Sequence, residues 1–287
     1  MYNATIKHAA PVALLLCALT ACGGPSEEQI AAQGLLEQAR ALYDQGMYDS
    51  SAVIADSLCK TYPKQFDLVK EAMNARAMAL EQSFTIQLEA TDSVIAQKKR
   101  VVEELAGKFT YIKTEDMVEG YKILTSLVKR PLVGRTGIEP RVDEGGNLYL
   151  FSLLNGVPAK HEKLVAYVRK NKAEAAETAT VAYDDIRNYR FTDINDVSNE
   201  SVTFHFDECA EFCQFVVDNA DKDLNLTFSG KKSHTIQLDK ATKQAIVDSY
   251  TYSAAIRDGL QADMQRMLLL KKIDVAKSQV ERTQLQQ

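Results

Sequence analysis

The chain has no tryptophan, which weakens any case for a sugar-stacking platform. It has no long run of basic residues, and its 34 Lys and Arg are outnumbered by 39 Asp and Glu, for a formal net charge of −5. Nucleic acid is therefore not an expected partner. No H-E-x-x-H, G-x-S-x-G or G-x-G-x-x-G occurs, so neither the metalloprotease helix, the hydrolase elbow nor the dinucleotide turn is expected. Long apolar runs are also missing: the stretch from Ala9 to Ala18 is far too short to span a bilayer as a mature helix. What is present is a globular balance, 46% apolar and 25% charged residues, in a length that suits one or two domains with a sizeable core.

The short apolar run has a setting of its own. Met1–His8 carries one firm positive charge, Lys7; the core Val12-Ala13-Leu14-Leu15-Leu16 follows, and then Leu19-Thr20-Ala21-Cys22-Gly23. A charged start, a brief apolar core and small residues before a cut are the parts of a secretory signal. Leu19-Thr20-Ala21-Cys22 resembles the bacterial lipobox. That resemblance implies a signal peptide over residues 1–21, cleavage before Cys22, and acyl chains on Cys22 that anchor the mature protein in a membrane, since several chains on one residue hold stably where one is marginal. By resemblance to the sorting rules of such lipoproteins, Gly23 rather than Asp after the cysteine implies the outer membrane. Residues 22–28 then read as a lipidated tether. Cys17 leaves with the signal, and Cys59, Cys209 and Cys213 remain, an odd number for an oxidising compartment, so buried thiols are expected.

Residues 27–63 read as a helical hairpin. Apolar residues recur at helical spacing from Leu35 to Leu42, Gly46 ends the first helix, and Pro63 stops a second that runs from about Tyr48 to Thr61. Leu35, Ala39, Gly46, Tyr48 and Pro63 fall in one register that resembles a single tetratricopeptide unit; Ser51 departs from it, the family preferring Ala there. One repeat cannot bury its own face, so it must pack on the segment after it. That segment is a long helix from about Asp67 to Lys108, with a stripe through Leu80, Phe84, Leu88, Val94, Ile95, Val101, Val102 and Leu105 that Thr91 and Lys98 interrupt. A shorter helix over Glu115–Lys129 is expected from Met117, Tyr121, Leu124 and Val128 on one side, before Pro131.

From 135 to 238 the pattern changes to short apolar runs punctuated by Gly, Asn and Asp, the signature of strands. Asp143-Glu144-Gly145-Gly146 precedes a strand over Leu148–Leu154 that is apolar on both faces. Leu164–Val168 and Tyr189–Phe191 are further strands. Ser201–Phe206 alternates with Val202, Phe204 and Phe206 inward, and Asp207 is placed to cap a short helix. Leu224–Phe228 and Thr235–Leu238 make a hairpin around Ser229–Lys232, while Ala173–Thr178 suits helix and loop equally. Asp239 caps a last helix that reaches about Thr283, with Ile246, Tyr250, Ile256, Leu260, Met264, Met267, Leu268 and Ile273 on one stripe.

Four constellations invite chemistry. His205, Cys209 and Cys213 are spaced by four, as zinc ligands on a helix would be, but His205 belongs to the alternating strand, and Cys209, Phe212, Cys213 and Val216 make a better packing face. Ser126–Lys129 and Ser57–Lys60 match S-x-x-K without its companion motifs. Ser229-Gly230-Lys231-Lys232-Ser233 is similar to a phosphate loop but joins two strands. Tyr149, Tyr167, Tyr183 and Tyr189 could line a ligand face or simply pack.

The expectation is therefore an α+β protein: an N-terminal helical hairpin plus a long antiparallel helical stalk, with a strand-rich domain inserted between the stalk helices. Its parts are the signal peptide (1–21), the tether (22–28), the hairpin and first stalk helix (29–130), the insert (135–238) and the second stalk helix (239–287). This layout resembles uncharacterised envelope lipoproteins of Gram-negative bacteria. It implies an outer-membrane, lipid-anchored protein that is not an enzyme, with no catalytic, metal or cofactor residues. Cys22 is its one modification site. Its partners are the membrane through that lipid and a protein of the envelope, for which it acts as scaffold or interaction module; the alternative is a peptide- or glycan-binding lipoprotein.

Overall fold

A computed structural model describes residues 25–115 and 118–285. Cys22 and the export signal lie outside the described residues. The chain is mixed α+β, 52% of the described residues being helical and 24% strand, and it divides into two compact units. One comprises the described residues of 1–83 and 273–287, the other Phe84–Lys272. Among the described residues no helix is long and apolar enough to cross a membrane.

The smaller unit begins with α1 (Glu27–Asp44) and α2 (Tyr48–Thr61). Ser26 accepts a hydrogen bond from the Gln29 amide at 3.1 Å and so starts α1. Gly46 ends the turn after it at φ +75°, a conformation that costs other residues a steric clash. The faces meet through Ala32, Leu36, Ala39, Ala55 and Leu58, where the three alanines let the two helices approach closely and the two leucines fill the space between them. Ser51, where alanine was the expected type, is fully buried, and its hydroxyl donates to the Ala39 carbonyl across the hairpin at 2.7 Å. The polar atom is thus satisfied and ties the two helices. The first turns of α3 (Phe66–Ala106) complete this core through Ala72.

In the larger unit the rest of α3 runs beside α6 (Lys240–Gln284), antiparallel: Asp92 pairs with Arg266 at 2.7 Å and Lys98 with Asp258 at 2.6 Å. Phe84, Leu88, Thr91, Ile95, Lys98, Val102 and Leu105, half-buried like Thr85 and Val101 beside them, form a row on α3 here in alternating steps of four and three. The two interruptions read in the sequence are therefore in register, and Lys98 serves the pair with its charge. Leu260 and Met264 do not face α3 as expected. They are exposed; Ala255 and Leu269 are buried instead.

Between these helices lie β1 (Phe109–Ile112), β2 (Tyr121–Leu124), α4 (Thr125–Val128), β3 (Gly137–Asp143), β4 (Leu148–Asn155), β5 (His161–Val168), β6 (Asn171–Glu177), β7 (Asn188–Thr192), β8 (Ser198–Phe204), α5 (Phe206–Asp218), β9 (Leu224–Gly230) and β10 (Ser233–Gln237). They build a six-stranded sheet in the order β1-β2-β3-β4-β8-β7 and a four-stranded sheet in the order β10-β9-β5-β6, every pairing antiparallel. Inward positions of both sheets share one core with α5: Leu150, Leu154, Val202 and Phe204 from one, Leu164, Leu226 and Phe228 from the other, and Cys209, Phe212, Cys213 and Val216 from the helix.

Three local expectations are corrected. The helix over Glu115–Lys129 is instead β2 followed by one helical turn, so strands begin at Phe109, ahead of the boundary near 135 and within the span 29–130 read as helical. Tyr121, Leu124 and Val128 keep helical spacing, but pairing of β2 with β1 and β3 decides the matter; Met117 lies outside the described residues. The cap of α5 is His205, not Asp207. The His205 amide donates to Glu208 at 2.8 Å, one half of a capping box, and Phe206 starts the helix rather than ending the strand. Ala173–Thr178, left open between helix and loop, is mostly strand β6.

Candidate functional site

Strand alternation sends every second side chain of the six-stranded sheet away from the core. On that outer face Tyr121, Arg141, Phe151, Leu153, Phe191 and Ser201 line a groove of about 420 Å³, and Leu127, Val128, Pro131, Leu132 and Val133 wall its end. The volume lies within the range of small-molecule sites, and so does the apolar lining. Its polar feature is one ion pair. Arg141 donates from Nε to Glu139 at 2.7 Å, and its guanidinium lies 4.5 Å from the ring centroid of Tyr121 and 4.4 Å from that of Phe151. The rings hold the planar fork in place by cation–π attraction on both sides. The Glu139 side chain is 9% exposed and that of Arg141 is 27% exposed, so the carboxylate lies at the base of the pair and the guanidinium faces the groove.

A second cluster has the connectivity of an acyl-transfer triad. Ser152 Oγ lies 2.9 Å from His161 Nε2, and His161 Nδ1 lies 3.0 Å from Glu200 Oε2. The three come from β4, β5 and β8 and therefore link the two sheets. Burial alone would raise the Glu200 carboxyl. Hydrogen bonds from the His161 ring and from the amides of His161 (2.8 Å) and Lys160 (2.7 Å) outweigh it and hold the group below its usual 4.5. Ser152 also meets the Val202 carbonyl at 3.1 Å, so its hydroxyl is committed within the core. Ser152 and His161 are wholly enclosed and Glu200 is 2% exposed. A nucleophile must reach its substrate; this hydroxyl reaches only protein.

The close approach at this cluster depends on a glycine. Any Cβ on Gly230 would lie 1.9 Å from the Lys160 carbonyl oxygen, and Lys160 itself has φ 55°. Here the β5–β9 register shifts between His161 and Lys163, which turns the His161 ring inward.

The residues singled out in the sequence are not brought together. His205 caps α5 and stands edge-on to Tyr149 at 5.2 Å, whereas Cys209 and Cys213 are buried on the sheet side of the helix. Among the described residues no group of three or more His, Cys, Asp or Glu could hold a metal ion, and the three described cysteines are free. Burial and a hydrogen bond with Cys209 push the Cys213 thiol well above its usual range, the hydrogen bond contributing most. Ser126 is exposed on α4, Ser57 and Lys60 lie on α2, and Ser229–Ser233 is a strand connection. Of the four tyrosines, Tyr149 and Tyr189 stand on the outer face of the six-stranded sheet. Tyr167 accepts a hydrogen bond from Asn225, and Tyr183 lies under the Arg190 guanidinium at 4.4 Å.

The smaller unit carries an open groove of about 700 Å³ between the start of α3 and the end of α6, lined by Phe66, Met73 and Val275 among others. In the larger unit α6 shows an apolar stripe away from α3: Leu260, Met264, Met267 and Leu268, each 50–57% exposed. No family model, curated protein or solved structure matches the chain.

Proposed function

We propose that the protein is a lipid-anchored envelope interaction module without catalytic activity of its own, and that the groove on the six-stranded sheet is its recognition site. The observation that carries this reading is the pairing of an apolar groove of about 420 Å³ with one oriented guanidinium, the combination of bulk burial and a fixed polar contact that ligand sites use. The lipobox-like Leu19–Cys22 supports the anchor. Enclosure of Ser152, His161 and Glu200 supports a structural role for the triad-like cluster. In this reading the antiparallel segments of α3 and α6 are the stalk, and the strand-rich insert is the head.

The test fills the groove. Ser201 lies half-buried on its floor, and Ser201→Trp adds a large ring there without touching the inner core. Proteins crosslinked to the wild type and small molecules co-purified with it are compared by mass spectrometry with those held by the variant. Loss of a specific set supports the groove; identical sets refute it. A second reading, a scaffold that docks a helix, rests on the exposed Leu260–Leu268 stripe. It predicts that Met264→Glu with Leu268→Glu removes partners that Ser201→Trp retains.

A further inference from the structure

We infer that the groove takes a carboxylate carried on a hydrocarbon tail, an alkanoate, with the carboxylate on the outer edge of Arg141. The inference rests on the reading of the groove as the recognition site and adds the class of ligand. Two observations lead to it. First, the guanidinium is oriented but not used up. Nε is taken by Glu139, and the Nη edge makes no hydrogen bond among the described residues. A guanidinium edge fixed between two rings matches the two oxygens of a carboxylate, and little entropy remains to be lost on binding.

Second, the rest of the lining decides what the anion is attached to. Apart from the ion pair, the Tyr121 phenol and Ser201, the groove is hydrocarbon, with Ile123, Leu132, Val133, Phe151, Leu153 and Phe191 prominent. A peptide would bring one amide N–H and one carbonyl per residue, each needing a partner that this lining does not supply. An alkyl chain asks for nothing but apolar surface.

The test uses the full chain as its Cys22→Ala variant, so that no acyl group of the protein competes. A fluorescent fatty-acid probe is bound and then displaced by dodecanoate, by dodecanol, or by an apolar tetrapeptide with a free C-terminus. Dodecanoate should displace the probe at a concentration at least about tenfold below that of dodecanol, as expected for one charge-assisted contact. Arg141→Met should erase that difference while dodecanol still binds, which shows that the variant is folded; Ser201→Trp should abolish both. Equal displacement by dodecanoate and dodecanol, a difference that survives Arg141→Met, or displacement by the peptide alone overturns the inference. If Ser201→Trp removes captured partners yet dodecanoate does not bind, the ligand class fails and the groove stands. If neither changes anything, both fail.

Discussion

Glu200→Gln tests the cross-sheet cluster where its physics is sharpest. The wild-type carboxylate takes three donors, the Lys160 amide at 2.7 Å, the His161 amide at 2.8 Å and the His161 ring at 3.0 Å, and is 2% exposed. The glutamine side chain keeps one acceptor oxygen and turns an N–H₂ toward the others. At least one buried donor loses its partner, and the bonds that survive lose their charge. With roughly 1.5–3 kcal/mol for a hydrogen bond to a charged group and roughly 1–3 kcal/mol for the stranded donor, the loss is about 3–5 kcal/mol. At roughly 2–4 °C per kcal/mol for a unit of this size, thermal unfolding of Phe84–Lys272 followed by circular dichroism should shift down by about 10 °C. The pH dependence gives a second reading. The folded carboxyl sits below its usual value, so its stabilisation is present above the usual carboxylate range and is lost as pH falls through the lowered folded value. The gap between wild type and variant in urea unfolding should therefore narrow toward acid. A shift under 2 °C, or a gap that widens as pH falls, would falsify the cluster's structural role.

Substitutions elsewhere in the chain carry their own expected outcomes. Cys22→Ala should move the protein from the membrane fraction to the soluble one or leave it uncleaved; a processed protein that stays with membranes would sink the anchor. Gly230→Ala forces a methyl within 1.9 Å of the Lys160 carbonyl, and should cost several kcal/mol and disturb the His161 ring signals in NMR, which an unchanged spectrum would contradict. Leu269→Ala empties a fully buried site on α6 and should cost about 2–5 kcal/mol, whereas Leu260→Asp, at a half-exposed site, should cost under about 1 kcal/mol; equal melting curves for the two would refute the orientation of α6. Cys209 and Cys213 should resist a thiol reagent in the native protein and react on unfolding, since both are buried and Cys213 holds its proton.

Much of the fold could be read because alternation is local. Val202 and Phe204, Leu224, Leu226 and Phe228, and the Cys209–Val216 face of α5 are all buried as their spacing implies. Two members of the cross-sheet cluster were within reach of the same logic. Glu200 has the parity of Val202 and Phe204, and Ser152 that of Leu148, Leu150 and Leu154. A carboxylate at an inward position needs a partner, and that alone flags it. His161 was out of reach. Its parity disagrees with Leu164, Ala166 and Val168, because the register shifts between His161 and Lys163. Bulges are set by the partner strand, here by Gly230, some seventy residues on in the chain. The groove escaped for a related reason: Arg141, Phe151 and Tyr121 are neighbours only once β2, β3 and β4 are in register.

The outward stripe of α6 has a different physical cause. Its sequence carries two apolar stripes on opposite sides, and hydrophobic size favours Leu260, Met264, Met267 and Leu268 as the buried one. The structure turns the other inward, where buried Ala255 and Leu269 flank half-buried Gly259 and Ala262. A Cβ on Gly259 would lie 3.8 Å from the Lys98 side chain, in ordinary contact, so the two helices run close together at that point. Close approach multiplies dispersion contacts along both backbones and brings the Asp92–Arg266 and Lys98–Asp258 pairs to 2.6–2.7 Å. The Leu and Met side chains are then left on the outside by the geometry of α3–α6 pairing. Four half-exposed large apolar residues within three turns of one helix are more than solubility favours, which is why the Met264→Glu, Leu268→Glu variant distinguishes a docking helix from a merely exposed one.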